Sequence, residues 1–584
     1  MSKPIGIFVA WPYANGRLHL GHIAGAYLPA DIFARFNRLS GNRVLMVSGS
    51  DAHGTPITLK AREENCTPYD VVARYHATFL QGWKNLGITF DLFTHTHTDN
   101  HISVVQDFFR TLHQQDDLEV RSSEQFYDIE AGMFLPDRYV TGECPKCGNQ
   151  RARGDQCEQC GATFETAELK NPRSLISDST PELRETEHYF FRMDKYEAAL
   201  HEFVEKQEHW RPHVKNYTMA ALRDGLKSRP ITRDIDWGVP VPVAGWENKV
   251  IYVWFDAVIG YYSAALEWAE MEEGRSSAPW WTESAGRGYY FIGKDNVPFH
   301  SVIWPIELLA YGHGLQLPYD VPANQFLNID GEKFSTSRGL AVWLDDVLEQ
   351  FDPDAVRYYL ASIFPESKDS NFTWKGFVQR NNGELVAAWG NLVNRVLGFA
   401  VSRYDSQVPE PGLLSERDEA LLSDTQAVFA RVTTEYELVN LREALRLAFE
   451  AVREVNRYLD EKAPWHEFKT DPKAAGTTIY CALQAIDTLK MALAPVLPFS
   501  SQKIHEYLGY SGSLWGEQEI VRRDAAVPYD VLVYRPSIDA LNGDASVGRS
   551  IWQVSDLPSG QTLLKPAPLF KLIDEEAVLA QAGE

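Results

Sequence analysis

Three short stretches of this chain carry residues whose types and spacing suit chemistry. Cys144-Pro-Lys-Cys147 and Cys157-Glu-Gln-Cys160 are two C-x2-C pairs separated by nine residues, each followed by a glycine, Gly148 and Gly161. Two close thiolate pairs supply a tetrahedral all-sulfur site, which suits zinc and leaves no open position for catalysis. The glycines permit the tight turns that aim backbone N–H groups at the sulfurs. A pair of redox dithiols is the alternative, but such motifs belong in a strand–helix–strand unit, which this stretch lacks. The expected metal holds a loop together and does no chemistry.

The second stretch is Trp11-Pro-Tyr-Ala-Asn-Gly16-Arg-Leu-His19-Leu-Gly21-His22, between an apolar run and a helical pattern. His19 and His22 stand three apart and share one helix face. A helix N-terminus already favours anions, and two imidazoles there can donate to phosphate oxygens. Gly21 between them leaves room for a flat base to approach the backbone. The third stretch is Asp330-Gly-Glu-Lys333-Phe-Ser335-Thr336-Ser337-Arg338-Gly339. Glycine, hydroxyls and cations make a loop able to wrap phosphates, where a cation stabilises charge that develops only in the transition state. Taken alone, it reads as a surface loop with solvated charges.

These stretches need elements to hold them. Gly6–Trp11, Arg43–Gly49, Val250–Phe255 and Tyr289–Gly293 are short apolar runs bounded by turn residues, the pattern of buried parallel strands. They predict an α/β doubly wound sheet, interrupted between about residues 116 and 232. Ligands of such sheets sit at the carboxyl ends of the strands, so Tyr13, Asp51, Trp254, Asp256 and Asp295 become candidates by position alone. From about 340 the pattern turns helical. Leu441, Leu445, Phe449, Val452, Val455 and Leu459 recur at three and four, one apolar face of a bundle helix. Residues 536–566 read as a surface excursion and Leu569–Ala582 as a short helical tail.

Composition bounds the rest. The 584 residues are 44% hydrophobic and 23% charged, ordinary globular values. With 56 basic against 80 acidic residues the net charge is −24, which excludes a basic coat but not a local nucleic-acid surface. No run of 18 apolar residues marks a membrane span, and the N-terminus does not read as a signal peptide; a cytoplasmic protein is expected. Four of the six cysteines fall in one cluster, which fits metal binding in a reducing compartment.

Together, His19-Leu-Gly-His22 and Lys333-Phe-Ser-Thr-Ser337 resemble the paired HIGH and KMSKS signatures of class I aminoacyl-tRNA synthetases. Ala10–Gly16, Ser50–Pro56, Tyr252–Ala257, Phe291–Asp295 and the cysteine knuckle resemble the methionyl family within that class, nearly to residue 580. The resemblance implies a ligase that activates L-methionine with ATP and magnesium, releases pyrophosphate, and passes the methionyl group to the terminal adenosine of tRNA(Met), initiator and elongator. It implies a Rossmann-type catalytic domain at 1–115 and 233–325. A connective insertion at 116–232 splits it and carries the zinc knuckle (141–163). A stem-contact region with the KMSKS-like loop (326–385), a helical anticodon-binding domain (386–535) and a return segment with a short helix (536–584) follow.

Carried over residue by residue, the methionine pocket is Ala10, Trp11, Tyr13, Asp51, Trp254, Ala257, Val258, Tyr261 and His300. Asp51 can pair with the substrate ammonium, and Tyr261 or His300 can hydrogen-bond weakly to sulfur. ATP falls to His19, Gly21, His22, Gly293, Lys294, Asp295, Lys333 and Thr336, and the anticodon to Asn391, Arg395 and Trp465. One position departs from the pattern: Thr336 replaces the second lysine of the mobile loop. We expect Lys333 and Arg338 to share the missing charge while Thr336 donates a hydrogen bond, so His19, His22, Lys333, Thr336 and Arg338 form the catalytic set. Synthetases for other amino acids are the first rival; the editing ones carry a far larger insertion. A catalytically silent RNA-binding relative is the second, encouraged only by Thr336. A small-molecule nucleotidyltransferase has no use for the helical bundle. The chain stops soon after that bundle, without the module through which some family members dimerise, so a monomer is expected.

Overall fold

Residues 3–136, 139–154, 157, 160, 168–283, 286–329, 332–333, 341–536 and 550–582 are described by a computed structural model. The apolar runs at the N-terminus form strands because both their faces are covered. Pro4–Val9 (β1) is buried at every position, and Arg43–Ser50 (β2) over its last six. With Leu92–His95 (β3), Arg287–Gly293 (β4) and Ala323–Asn324 (β5) they make a parallel sheet in the order β5-β4-β1-β2-β3. The strand order reverses beside β1, which is where a doubly wound sheet opens a ligand crevice. From β1 the chain passes through helical turns at Leu20–His22 and Ile23–Tyr27 into Leu28–Leu39 (α1). Pro68–Leu86 (α2), begun by a Thr67/Asp70 capping box, leads towards β3.

Two expectations about this sheet are corrected. Val250–Phe255 is not a sheet strand. Only Val250–Ile251 is extended, in a small antiparallel sheet with Thr232–Arg233 and Val239–Pro240, and Val253–Glu270 (α3) is a helix. A six-residue apolar run carries no period that separates a buried strand from a buried helix. Trp254 and Asp256 therefore sit in a helix's first turn. The second correction concerns the expected helical stretch 386–535. Its last part forms strands Glu517–Arg523 (β6) and Tyr529–Arg535 (β7), and β7 pairs antiparallel with β3 through Leu532 and Phe93. Val531 and Leu532 are fully buried there. The hairpin covers an edge of β3 that would otherwise expose unpaired N–H and C=O groups.

The interruption of the sheet contains a long antiparallel pair, Leu118–Asp128 with Glu182–Phe191, and a separate three-stranded sheet, Val140–Glu143 with Ala152–Arg153 and Lys170–Ser174. Around the latter, Tyr139, Val140, Cys144, Ala152, Cys157 and Leu169 form a small core of their own. The helical region is led by Glu416–Glu437 (α4), Leu441–Lys462 (α5) and Pro472–Leu493 (α6). The six apolar residues read from the sequence as one face of α5 are all buried. Helix Trp374–Arg403 is long and apolar enough to cross a membrane by length and composition alone. Its Leu385, Trp389, Leu392, Val393, Val396 and Leu397 are fully buried in protein.

Arg357 locks the helical region to the sheet. It is 0% exposed and donates to Asp31 on α1 (2.7 Å), to the carbonyls of Leu86 and Gly87 after α2, and to those of Pro495 and Val496. The expected surface excursion is corrected too. In its described part, Ile551 and Trp552 donate to the Leu39 carbonyl, and Trp552 packs on Phe36 and Phe429, with Leu557 and Leu563 buried. It is a strap between α1 and the helices. The tail is helical only over Glu575–Ala582, because Leu569 and Phe570 are spent on burial and Asp574 accepts from Ala577 N–H at the helix start.

Candidate active site

The first signature lies where the chain leaves β1. His19 is the N-cap of the turn Leu20–His22, and the two histidines cap one another. His22 N–H donates to His19 Nδ1 and His19 N–H to His22 Nδ1, both at 3.3 Å, with the rings stacked 3.6 Å apart. Desolvation, then repulsion from His22, pushes His19 down to about 2; His22 is lowered too, but it is exposed to solvent, so desolvation acts on it less than on His19. Both rings are neutral near pH 7. Since each Nδ1 accepts, each proton sits on Nε2.

The exit of the third stretch is fastened to the first. Leu20 N–H donates to Val342 O and Leu344 N–H to Leu18 O; Arg17 pairs with Asp345 (2.9 Å) and Asp346 and lies over the Trp343 ring. At its entry, Glu332–Lys333 pairs antiparallel with Leu327–Ile329. Segment 342–344, more than 300 residues on in the chain, is thus fastened to the first signature. Thr336 and Arg338 lie outside the described residues, as does the Lys333 side chain.

A cavity of about 830 Å³ opens past the end of β1, where all nine methionine-pocket candidates line it together with Asn15, while His19, Gly21 and His22 are not among its lining residues. Ala10 is held at its mouth by N–H donation to Phe291 O and by the Tyr27 hydroxyl on its carbonyl. Trp254, Ala257, Val258 and Tyr261 are i, i+3, i+4 and i+7 of α3, so one helix face builds one wall. Asp51 follows β2 directly and is 4% exposed. Burial, reinforced by nearby Asp256, raises its carboxyl well above the usual range. An ammonium placed against it would return it to the charged form, and such a charge-assisted pair is strong where water is excluded.

Tyr261 and His300 are committed to one another. His300 Nδ1 meets the Asn296 carbonyl at 2.9 Å, so it carries the proton, and the Tyr261 hydroxyl donates to Nε2 at 2.6 Å. Burial lowers His300 to about 4, which keeps it neutral. In this arrangement neither an N–H of His300 nor the O–H of Tyr261 is left over to donate to a sulfur atom.

The Trp11 indole lies between two glycines that sequence reasoning missed. A Cβ at Gly260 would stand 2.6 Å from Trp11 Cζ2, and one at Gly49 2.0 Å from Cζ3. The signal was available: Gly49 interrupts a strand and Gly260 a helix, positions where glycine is disfavoured unless something approaches closely. His53, Trp237 and Phe299 also line the cavity without having been singled out.

The nucleotide candidates divide. Asp295 lines the cavity, beside Gly293, where a side chain would stand 2.8 Å from Asp295 Oδ1. Lys294 is not brought to it; its ammonium pairs with Asp369 at 2.7 Å over the Phe326 ring. The four sulfurs of Cys144, Cys147, Cys157 and Cys160 lie within 4.8 Å of one another. Backbone N–H groups of Lys146 and Cys147 point at Cys144 Sγ (3.4 and 3.5 Å), and Gly148 takes the left-handed φ of 75° that the turn needs. That donor set fits a tetrahedral metal. Far from the cavity, Asn391 and Arg395 lie one turn apart on helix Asn391–Arg403, and Arg395 covers one face of Trp465 at 4.5 Å. Ala463, at φ 42°, turns the chain sharply so that Trp465 returns towards that helix.

A family model described as tRNA synthetases class I (M) matches residues 5–397, and one described as the anticodon binding domain of methionyl tRNA ligase matches 408–529. The chain belongs to the methionyl-tRNA synthetase family. A methionine–tRNA ligase of Thermomicrobium roseum is 52% identical over 99% of this chain and 98% of its own length; one of Roseiflexus sp. (strain RS-1) is 49% identical over 99% and 98%. Mycobacterium tuberculosis methionyl-tRNA synthetase in complex with methionyl-adenylate has the same fold, with a TM-score of 0.76 at 24% identity over 98% of this chain and 100% of that one. Family membership makes this chain a ligase that activates methionine and charges tRNA with it.

Proposed function

We propose that this chain forms methionyl-adenylate from L-methionine and ATP in the cavity past the end of β1, then transfers the methionyl group to the 3′-terminal adenosine of tRNA(Met), initiator and elongator alike. The observation that carries this reading is the convergence of nine residues from four separate stretches on one cavity, with Asp51 as its buried acidic group beside exposed Asp295. Asp51 binds the ammonium, which turns the substrate carboxylate towards the α-phosphorus. The Nε2–H groups of His19 and His22 donate to phosphate oxygens, and Lys333 with Arg338 takes up the charge that grows as pyrophosphate leaves, Thr336 adding a hydrogen bond. Magnesium bound with ATP supplies the remaining charge neutralisation. Zinc, held by Cys144, Cys147, Cys157 and Cys160, keeps the insertion folded. Asn391, Arg395 and Trp465 read the anticodon, and the enzyme works as a cytoplasmic monomer organised in the six segments given above.

Apolar fit alone separates methionine from its analogues by only about 1–3 kcal/mol per methylene. The Asp51 pair instead selects for any α-amino acid, so it governs affinity and not side-chain choice. Asp51→Asn is expected to raise the methionine KM at least about 100-fold while leaving the ATP KM within about twofold. An unchanged methionine KM would overturn this assignment. For the loop, Arg338→Ala should lower the rate of adenylate formation in single-turnover measurements without changing methionine binding; an unchanged rate would remove Arg338 from the catalytic set.

A further inference from the structure

Beneath the cavity lies a cluster that the reaction above does not use. His53, His101 and Asp256 are each 1% exposed or less, and one ligand atom from each lies within 4.8 Å of the others. The geometry points to a second metal site here, taking a divalent ion of the zinc type between the two walls of the amino-acid cavity.

The argument rests on where the protons must be. Ser263 Oγ donates to the Gly260 carbonyl at 3.1 Å, so it meets His101 Nδ1, 2.8 Å away, with a lone pair. His101 therefore carries its proton on Nδ1, and Nε2 is a bare acceptor, buried with no partner in the structure. Asp256 Oδ1 is likewise buried without a partner, while Oδ2 faces His53 Nδ1 at 2.9 Å. The other nitrogen of His53, Nε2, lies 3.0 Å from His97 Nδ1. Two buried acceptors, His101 Nε2 and Asp256 Oδ1, are thus left unpaired at about 1–3 kcal/mol each, and when His53 donates the outer bond its Nδ1 becomes a third ligand atom beside them.

A single cation satisfies all three. Two imidazoles and a carboxylate form a donor set for zinc-type ions, with a fourth position for water. Neighbouring ligands at about 2.0–2.1 Å from such an ion stand roughly 3.3 Å apart, a few tenths from the His53–Asp256 separation. Both histidines commit their outer nitrogens, to Ser263 and to His97, as metal-bound histidines do. The nearby Glu307 is also fully buried with neither carboxyl oxygen partnered, and burial, reinforced by Asp256, raises it well above the usual range. The ligands come from the stretch that carries Asp51, from helix Asp99–Gln114 and from the first turn of α3, so one ion pins the ammonium-binding wall to the Trp254 wall. Ligands so deeply buried take up their ion as the chain folds and yield it slowly to chelators.

The test is the metal content of the full-length protein from zinc-supplemented growth. We expect two ions per chain in the wild type. The double variant Cys144→Ser/Cys147→Ser is expected to hold one, and His101→Gln to hold one with the cysteine site intact. Cobalt supplied in growth to the cysteine variant should give visible d–d bands without thiolate charge transfer. One ion per chain in the wild type, unchanged in His101→Gln, would overturn the proposal and assign the cluster to a buried water. Loss of both ions in the cysteine variant would overturn it equally. Should His101→Gln not fold, the wild-type count and the cobalt spectrum decide.

Discussion

Gly260→Ala tests how the methionine cavity is shaped. The new methyl would stand 2.6 Å from Trp11 Cζ2 and 2.8 Å from Cε2. Carbon atoms in contact prefer about 3.5–4.0 Å, so the indole must retreat by about 1 Å. It has nowhere to go on its other side, where Gly49 already sits so close that a Cβ there would be 2.0 Å from Cζ3. The ring is driven towards the cavity it lines. Overpacking of this kind costs about 1–3 kcal/mol. Expressed in binding, that is a rise of about 10–100-fold in the methionine KM, since each 1.4 kcal/mol or so is tenfold. The assay is methionine-dependent exchange of pyrophosphate into ATP, with both substrates varied. The ATP KM should stay within about twofold, and shorter amino acids should lose less than methionine. Gly398→Ala, where the added Cβ meets nothing within 4 Å, is the control and should behave as wild type. A folded Gly260→Ala enzyme with an unchanged methionine KM would refute the reasoning, because it would place Trp11 outside the substrate's envelope.

Other expectations follow from the same geometry. Trp465→Ala should weaken aminoacylation by roughly 10–100-fold, the worth of about 1–3 kcal/mol per stacked base, and spare methionine activation; equal loss of both would make Trp465 a core residue only. Acid should destabilise the protein through its buried histidines. His76 and His300, 4% and 3% exposed, are both held at about 4 in the folded state by desolvation. A histidine whose folded pKa is lowered leaves the unfolded chain to take up the proton first. Stability is therefore complete above about 6.5 and lost as pH falls towards 4. At pH 5.5 the two together remove about 3 kcal/mol, readable as a shift of the urea midpoint relative to pH 7.5. No change in midpoint across that range would contradict their burial in the neutral form.

Much of the fold was legible because local signals carried it. β1 and β2 are continuous apolar runs, and the face of α5 repeats at three and four residues. Val250–Phe255 misled because a short apolar run has no readable period. Yet the helix was present in the spacing of Trp254, Ala257, Val258 and Tyr261, which only one face of a helix can present together. The hairpin at β6 and β7 alternates like any strand pair, but its pairing with β3 joins residues over 400 positions apart, which no window of sequence contains. The same limit hid the strap on α1. At the cavity, charged and aromatic residues announced themselves by type and by resemblance. Gly49 and Gly260 did not, because their role is the volume they leave to Trp11. The commitment of His300 to Asn296 and Tyr261 was likewise invisible, since a histidine's free nitrogen depends on neighbours that only the fold supplies.

The most direct test of the account is amino-acid-dependent exchange of pyrophosphate into ATP. It uses the purified, metal-loaded protein with magnesium, and methionine, homocysteine, leucine, isoleucine, valine and cysteine supplied separately. The account predicts exchange led by methionine, with Thr336 in place and without added tRNA. Exchange led by another amino acid, or none with any of them in folded protein, would contradict it.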